Sequence, residues 1–227
     1  MLIGIDGNEA NIKDRVGSNI YAFELIKAIE QMDYTNEYLI YLREKPLSDL
    51  PTYRTHFTYK VIPPKILWTQ WRLPLELYSS QSRPRIFFTP GHYAPRFSPI
   101  PTIISILDLS FLKYPQSFQP AVLHQLTSWT KHSAQKASHI FTISKASKTD
   151  VVHHYGIPED KITVTYPGIN PRFWQTVSDA DINQVKTKYK ISSKYLLALG
   201  TKQPKKNLPR LIEAFQSLSI PNLSLVI

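Results

Sequence analysis

Short apolar runs alternate with stretches of helical spacing along most of the chain. Leu2–Asp6 (LIGID) reads as a buried strand at the very start. A polar loop from 7 to 17 follows. Residues 19–28 then place Ile20, Phe23, Ile26 and Ala28 on one helical face, widened by Leu25 and Ile29. Residues 38–42 (YLIYL) and 57–62 are the next strands; Pro63 and Pro64 stop the second, and a helix carrying Pro74 is expected over 67–80. Two short strands come next, at 86–88 and Thr102–Ile106, then a long helix at 118–137 and a strand at 139–143. Ser144 is a natural N-cap for a helix over Lys145–Tyr155, and Gly156 sits where a helix ends, with Pro158 just beyond. A strand at 162–165 leads into the turn Tyr166-Pro167-Gly168.

Residues 169–193 are polar, with one weak helix at Asp179–Tyr189. The strand–loop–helix opening then recurs, as a strand at 195–199, a helix at 208–218 and a strand from Leu223. Alternating strands and helices predict an α/β fold, a parallel sheet with helices on both faces. One helix and two strands cannot bury a core of their own. The chain therefore reads as a Rossmann-like first domain over 1–172, an interdomain linker over 173–193 and the truncated start of a second Rossmann-like domain over 194–227.

Composition narrows the chemistry. The 227 residues contain no Cys, which removes disulfides, thiolate metal sites and Cys nucleophiles. Absence of Cys fits a reducing cytoplasm. Only 7 residues are Gly, so each is a candidate for a backbone role. No basic segment followed by an apolar run opens the chain, and no stretch is apolar enough to span a bilayer. The formal net charge of +10 attracts phosphate, whether on nucleic acid, lipid or small molecule. The surplus is concentrated between 54 and 100, where Arg54, Lys60, Lys65, Arg72, Arg83, Arg85 and Arg96 face one acid, Glu76. Trp68, Trp71 and Tyr78 are interleaved there. An anionic membrane would suit that surface; an ordinary basic surface over packed aromatics suits it slightly better.

No GxGxxG follows the first strand, and there is no P-loop, HExxH or Gly-x-Ser-x-Gly elbow. Nothing resembles a nucleic-acid recognition motif, so no nucleic-acid partner is expected. Two loops are more specific. Residues 14–21 (DRVGSNIY) lead into a helix, with Gly17 allowing close backbone approach to a ligand; alone, a plain helix-entry turn explains them better. Residues 200–210 (GTKQPKKNLPR) place Lys202, Lys205, Lys206 and Arg210 at a helix N-terminus capped by Asn207. Cations there oppose the helix dipole, and a diphosphate would resolve the conflict. A solvated basic turn is an equal reading on charge alone.

Six blocks in order then resemble glycosyltransferase family 4, the retaining, nucleotide-sugar-dependent GT-B class. They are the IGID strand with Gly17 and Tyr21, LWTQWRLP at 67–74, IFFTPGHYAP at 86–95, ILDLSFLKYP at 106–115, FTISKASKTDVVHHYGIPEDKITVTYPGI at 141–169, and YLLALGTKQPKKNLPRLIEAF at 195–215. The resemblance implies two Rossmann-like domains and transfer of a hexose, with mannose as the candidate, from a nucleotide diphosphate sugar to a glycan or lipid-linked saccharide acceptor. It implies retention, no metal and no cofactor. It places Lys206 and Asp108 in catalytic positions, and Gly17, Thr201, Lys205 and Lys206 at the donor phosphates. The Cys-free composition reads as cytoplasmic, and because many acceptors of the family are membrane-borne, the basic stretch from 54 to 96 is a candidate for peripheral contact with the inner face of the plasma membrane. Two local departures stand out. Leu107 precedes Asp108 where the family usually has His, and Thr201 follows Gly200 where many members have Arg. The family's donor-gripping glutamates would lie beyond Ile227, so the isolated chain is expected to be inactive. The alternative is a non-catalytic acceptor-binding half that pairs with a separate donor-domain subunit.

Overall fold

The computed structural model describes residues 1–191, 194–200 and 203–227. It divides into two compact units, Met1–Pro167 and Gly168–Ile227. The first unit is a seven-stranded, wholly parallel sheet in the order β3-β2-β1-β4-β5-β6-β7. Its strands are β1 (Leu2–Asp6), β2 (Glu37–Leu42), β3 (Phe57–Val61), β4 (Ile86–Thr89), β5 (Thr102–Ile106), β6 (His139–Thr142) and β7 (Ile162–Val164). Between them run α1 (Gly17–Met32), α2 (Leu73–Ser79), α3 (Ser110–Lys113), α4 (Pro120–Lys136) and α5 (Lys145–Tyr155). The α/β, Rossmann-like expectation holds.

A parallel sheet is stable only with both faces covered, which is why its strands are apolar almost throughout. β2 shows how period-two alternation feeds two cores. Tyr38, Ile40 and Leu42 join Ile5, Phe57 and Phe88 in the cluster that contains Ala22 and Ile26 of α1. Tyr41 joins Phe87, Trp68, Leu73 and Leu77 in a second cluster around α2. A third cluster packs Ile104, Ile106 and Ile140 with Phe111, Ala134, Val151 and Ile162. Gly7 is required by close approach. Its amide donates to the Tyr41 carbonyl at 3.0 Å, and a Cβ there would stand 2.5 Å from Ile40 Cγ2.

Local boundaries differ from the sequence reading in two instructive places. α1 begins at Gly17 and runs to Met32, longer at both ends than the apolar face of 19–28. The helix expected over 67–80 divides into a π-helical turn at Trp68–Arg72 and then α2. Pro74 has no amide to donate, and the Leu73 amide bonds back five residues to the Trp68 carbonyl instead. α5 starts and ends as expected, with Ser144 Oγ accepting from the Ser147 amide at 3.1 Å and Gly156 at φ +66°.

The second unit holds α6 (Asp179–Tyr189), β8 (Lys194–Leu197), α7 (Leu208–Gln216) and β9 (Leu223–Val226). β8 and β9 pair in parallel as a two-stranded sheet. Leu208, Leu211, Ile212 and Phe215 form one apolar stripe on α7. None of the described residues of this unit is buried. Asn207 stands at the N-cap of α7, but in the left-handed region at φ 50° and without a side-chain capping bond, so the capping role expected for it is not realised.

Candidate functional site

The connections from β1 run outward to β2 and β3, and the chain then returns to β4 on the other side of β1. Loops leaving the carboxyl ends of β1 and β4 therefore diverge. This is the switch point at which parallel α/β sheets bind ligands. A polar cluster, buried at Asp6, Asn8 and Asn19 and half-buried at Glu9 and Tyr93, occupies it.

Asp6 ends β1 and is only 9 % exposed. Its Oδ1 accepts from the Asn8 amide at 3.0 Å and from Asn8 Nδ2 at 2.6 Å. Asn8 Oδ1 in turn accepts from the Arg43 amide at 2.9 Å, tying the end of β1 to the end of β2. Glu9 Oε2 accepts from Asn19 Nδ2 at 2.6 Å, and Asn19 Oδ1 from the Val16 amide at 3.4 Å, which fixes the entry to α1. From the β4 side, Gly91 faces Glu9, with space for a Cβ at 3.7 Å from Glu9 Cγ. Gln125 Nε2 of α4 donates to the Tyr93 hydroxyl at 2.9 Å.

Burial dominates the electrostatics here. It pushes the Asp6 carboxyl up to about 6, against the hydrogen bonds from Asn8. Burial also raises Glu9, opposed by Arg43 and by the bond from Asn19. The Tyr93 hydroxyl is raised by burial and then by Glu9. Burial lowers His92, while the nearby Asp108 pulls the other way, and His92 Nδ1 has no hydrogen-bond partner. These groups can accept hydrogen bonds from hydroxyls, and burial favours the neutral form of Asp6.

Of the residues singled out by sequence, Gly17 is the first of α1. It is exposed, and a Cβ would meet nothing within 4 Å. Neither packing nor a left-handed backbone requires glycine there, so the space in front of it is open. Arg15 in the same loop is committed to structure, paired with Asp49 at 2.5 Å and stacked 3.9 Å over the Phe23 ring. Asp108 is exposed after β5, and its Oδ1 accepts from the Ser110 amide at 2.8 Å, holding the entry to α3. Leu107 is buried, and its carbonyl accepts from Ser147 Oγ at 2.6 Å. In the second unit Gly200 packs against the stem of Lys206, with Cγ, Cδ and Cε each 3.8 Å from a Cβ position. Lys206 closes the turn Pro204–Lys206 and is exposed. Thr201 and Lys202 lie outside the described residues, as does the side chain of Lys205.

Asp6, Asn8, Glu9, Tyr93, His92 and Gln125 were not singled out by sequence as site residues, and Asn19 was noted only as part of the 14–21 loop. Their signal was the switch from LIGI to DGNEAN at the end of the first strand, together with HY inside TPGHYAP. A cleft of about 390 Å³ lies elsewhere, between α5 and the edge strand β7. There Lys148 Nζ is occupied by the carbonyls of Glu159 and Ile162.

The profile of Glycosyltransferase Family 4 matches residues 16–173. None of the curated proteins compared matches the sequence. Among solved structures, HepE from Anabaena in complex with UDP-glucose is similar at 16 % identity and a TM-score of 0.64, covering 99 % of this chain and 59 % of that one. Sucrose-phosphate synthase from Thermosynechococcus elongatus is similar at 13 % identity and a TM-score of 0.63, covering 99 % and 61 %. A glycosyltransferase from Rickettsia africae gives 14 % identity, a TM-score of 0.55 and coverage of 96 % and 57 %. The chain thus spans about three-fifths of the length of these structures, and at such identities the likeness is one of fold.

Proposed function

Because this chain belongs to Glycosyltransferase Family 4, we propose that it carries the acceptor-side part of a hexosyltransferase. The enzyme moves a hexose, with mannose the leading candidate, from a nucleotide diphosphate sugar to a hydroxyl of a glycan or lipid-linked saccharide, retaining the anomeric configuration. The observation that carries this reading is the carboxylate and amide cluster at the switch point, with Asp6, Asn8 and Asn19 buried and Glu9 and Tyr93 half-buried. Hydroxyl-rich ligands are recognised by such fixed acceptors, and a site built this way rejects ligands that leave them unpaired. Glu9, Asn19 and Tyr93 are assigned to the acceptor.

Charge develops on the leaving diphosphate, so fixed cations and amides aimed at it lower the barrier most. Lys206 is assigned that role, helped by Lys205 and Thr201. Gly17 admits the phosphate close to the backbone at the start of α1. Asp108 is assigned to the reacting sugar, without the neighbouring His that Leu107 replaces. No metal or cofactor is assigned. The UDP-glucose bound by Anabaena HepE supports a nucleotide sugar as the donor class.

A chimera tests the reading. Residues 1–193 joined to the donor half of a family member should transfer sugar, with the anomeric configuration read by NMR. Glu9→Gln in that chimera should lower kcat/KM about 10- to 100-fold, the loss of a positioned polar contact. A folded chimera that transfers nothing, or is indifferent to Glu9→Gln, would refute it. A second reading, a non-catalytic acceptor-binding half that pairs with a separate donor subunit, is favoured by the buried Leu107.

A further inference from the structure

Two neighbouring tryptophans have opposite fates. Trp68 is 3 % exposed, and its Nε1 donates to the Ile62 carbonyl at 2.9 Å. Trp71 is 63 % exposed, and Phe97 65 %. Folding accounts for Trp68 alone. Trp71 and Phe97 instead border a cleft of about 230 Å³, completed by Trp129, Gln70 and Arg96. The Arg96 amide donates to Gln70 Oε1 at 3.0 Å, which pins the two walls together and keeps the Gln70 NH2 as a donor. Arg96 enters no ion pair among the described residues. Trp129 meets Tyr93 edge to face at 5.1 Å, so the cleft adjoins the switch-point cluster through shared aromatic packing.

We propose that this cleft is a saccharide subsite, holding an acceptor sugar beyond the one that reacts. A pyranose presents a C–H face and a rim of hydroxyls. Indole and phenyl faces suit the first; an amide and a guanidinium suit the second. The volume is below that of a drug-sized pocket, so the cleft suits a small ligand unit. Arg96 gives the subsite a preference for an acidic sugar. An anionic bilayer is the competing occupant, because Leu67 and Leu75 are exposed nearby in sequence. The concave shape and the fixed amide favour the sugar. This subsite deepens the acceptor reading above and rests on it.

The test is titration of the 227-residue chain with cellotetraose and with tetragalacturonate, followed by tryptophan fluorescence and calorimetry. Both should bind saturably, the acidic one more tightly. Trp71→Ala should weaken both at least 10-fold without moving the thermal transition. Arg96→Gln should abolish the preference for the acidic sugar. Absence of saturable binding, or binding indifferent to Trp71→Ala, overturns the proposal. So does sedimentation with phosphatidylglycerol vesicles that Trp71→Ala abolishes while no saccharide binds. If the chain binds no saccharide but the chimera transfers, the subsite falls and the transferase reading stands; binding without transfer gives the reverse.

Discussion

β2 and the second unit's first strand begin almost identically in sequence, as YLIYL from 38 and YLLAL from 195. Their surroundings differ completely. Ile40, Tyr41 and Leu42 are each 0 % exposed, whereas Leu196 is 45 % and Leu197 56 % exposed. An apolar run specifies a strand; neighbours on both sheet faces specify a core. β2 lies between β1 and β3 with helices over both faces. β8 has β9 beside it, and α7 in the same unit is covered only in part at Leu208, Leu211 and Phe215, too little for a closed interior.

The largest expected contrast is in hydrogen exchange. Amides of β1 and β4 should exchange only through global opening, while those of β8 and β9 exchange at least ~10³-fold faster through local opening. Equal protection in the two units would break the comparison. Next in size are core truncations. Ile40→Ala should cost about 2–5 kcal/mol in urea unfolding, and Leu197→Ala less than about 0.5 kcal/mol. Glycine gives a parallel pair. Gly7→Ala meets Ile40 and Leu42 and should cost about 1–3 kcal/mol, whereas Gly17→Ala enters open space and should cost under about 0.5 kcal/mol.

Asp6 supplies a pH test confined to the first unit. Its folded value of about 6 lies above its ordinary 3.8, so between these the folded state holds a proton that the unfolded state releases. Stability therefore falls as pH rises through that window and is level above it. The full effect is roughly 3 kcal/mol at most, from about two units of displacement. Unfolding of Asp6→Asn should show a smaller fall between pH 4 and pH 7, the remainder coming from Glu9, which burial also raises; superimposable profiles would contradict it. The smallest contrast uses two matched caps. Ser144 Oγ caps α5 at 3.1 Å and Ser178 Oγ caps α6 at 3.2 Å. Ser144→Ala should cost the first unit about 1 kcal/mol, and Ser178→Ala should leave that unit's transition unmoved.

Element order, the parallel α/β class and the ends of α5 were legible because they depend on local pattern: apolar runs, a Ser cap, a Gly at φ +66°. The division of 67–80 was not, because the ladder around Pro74 is settled by which carbonyl the Leu73 amide can reach. The Asn207 cap was misread for a similar reason. Residue type suggested the cap, but the left-handed backbone there carries no side-chain bond to the helix. The switch-point cluster was least legible. Asp6, Asn19, Tyr93 and Gln125 are far apart in sequence, and only the order of strands brings them to one end of the sheet. Trp68 and Trp71 show the same limit. Three residues apart in one motif, one is core and one is surface.

The most direct measurement of the functional account is turnover of nucleotide sugars by the 227-residue chain alone. The account assigns it an acceptor side and a donor unit without a closed core. It therefore predicts neither sugar transfer nor donor hydrolysis above background with UDP- or GDP-hexoses. Transfer or hydrolysis above background by the isolated chain would contradict it.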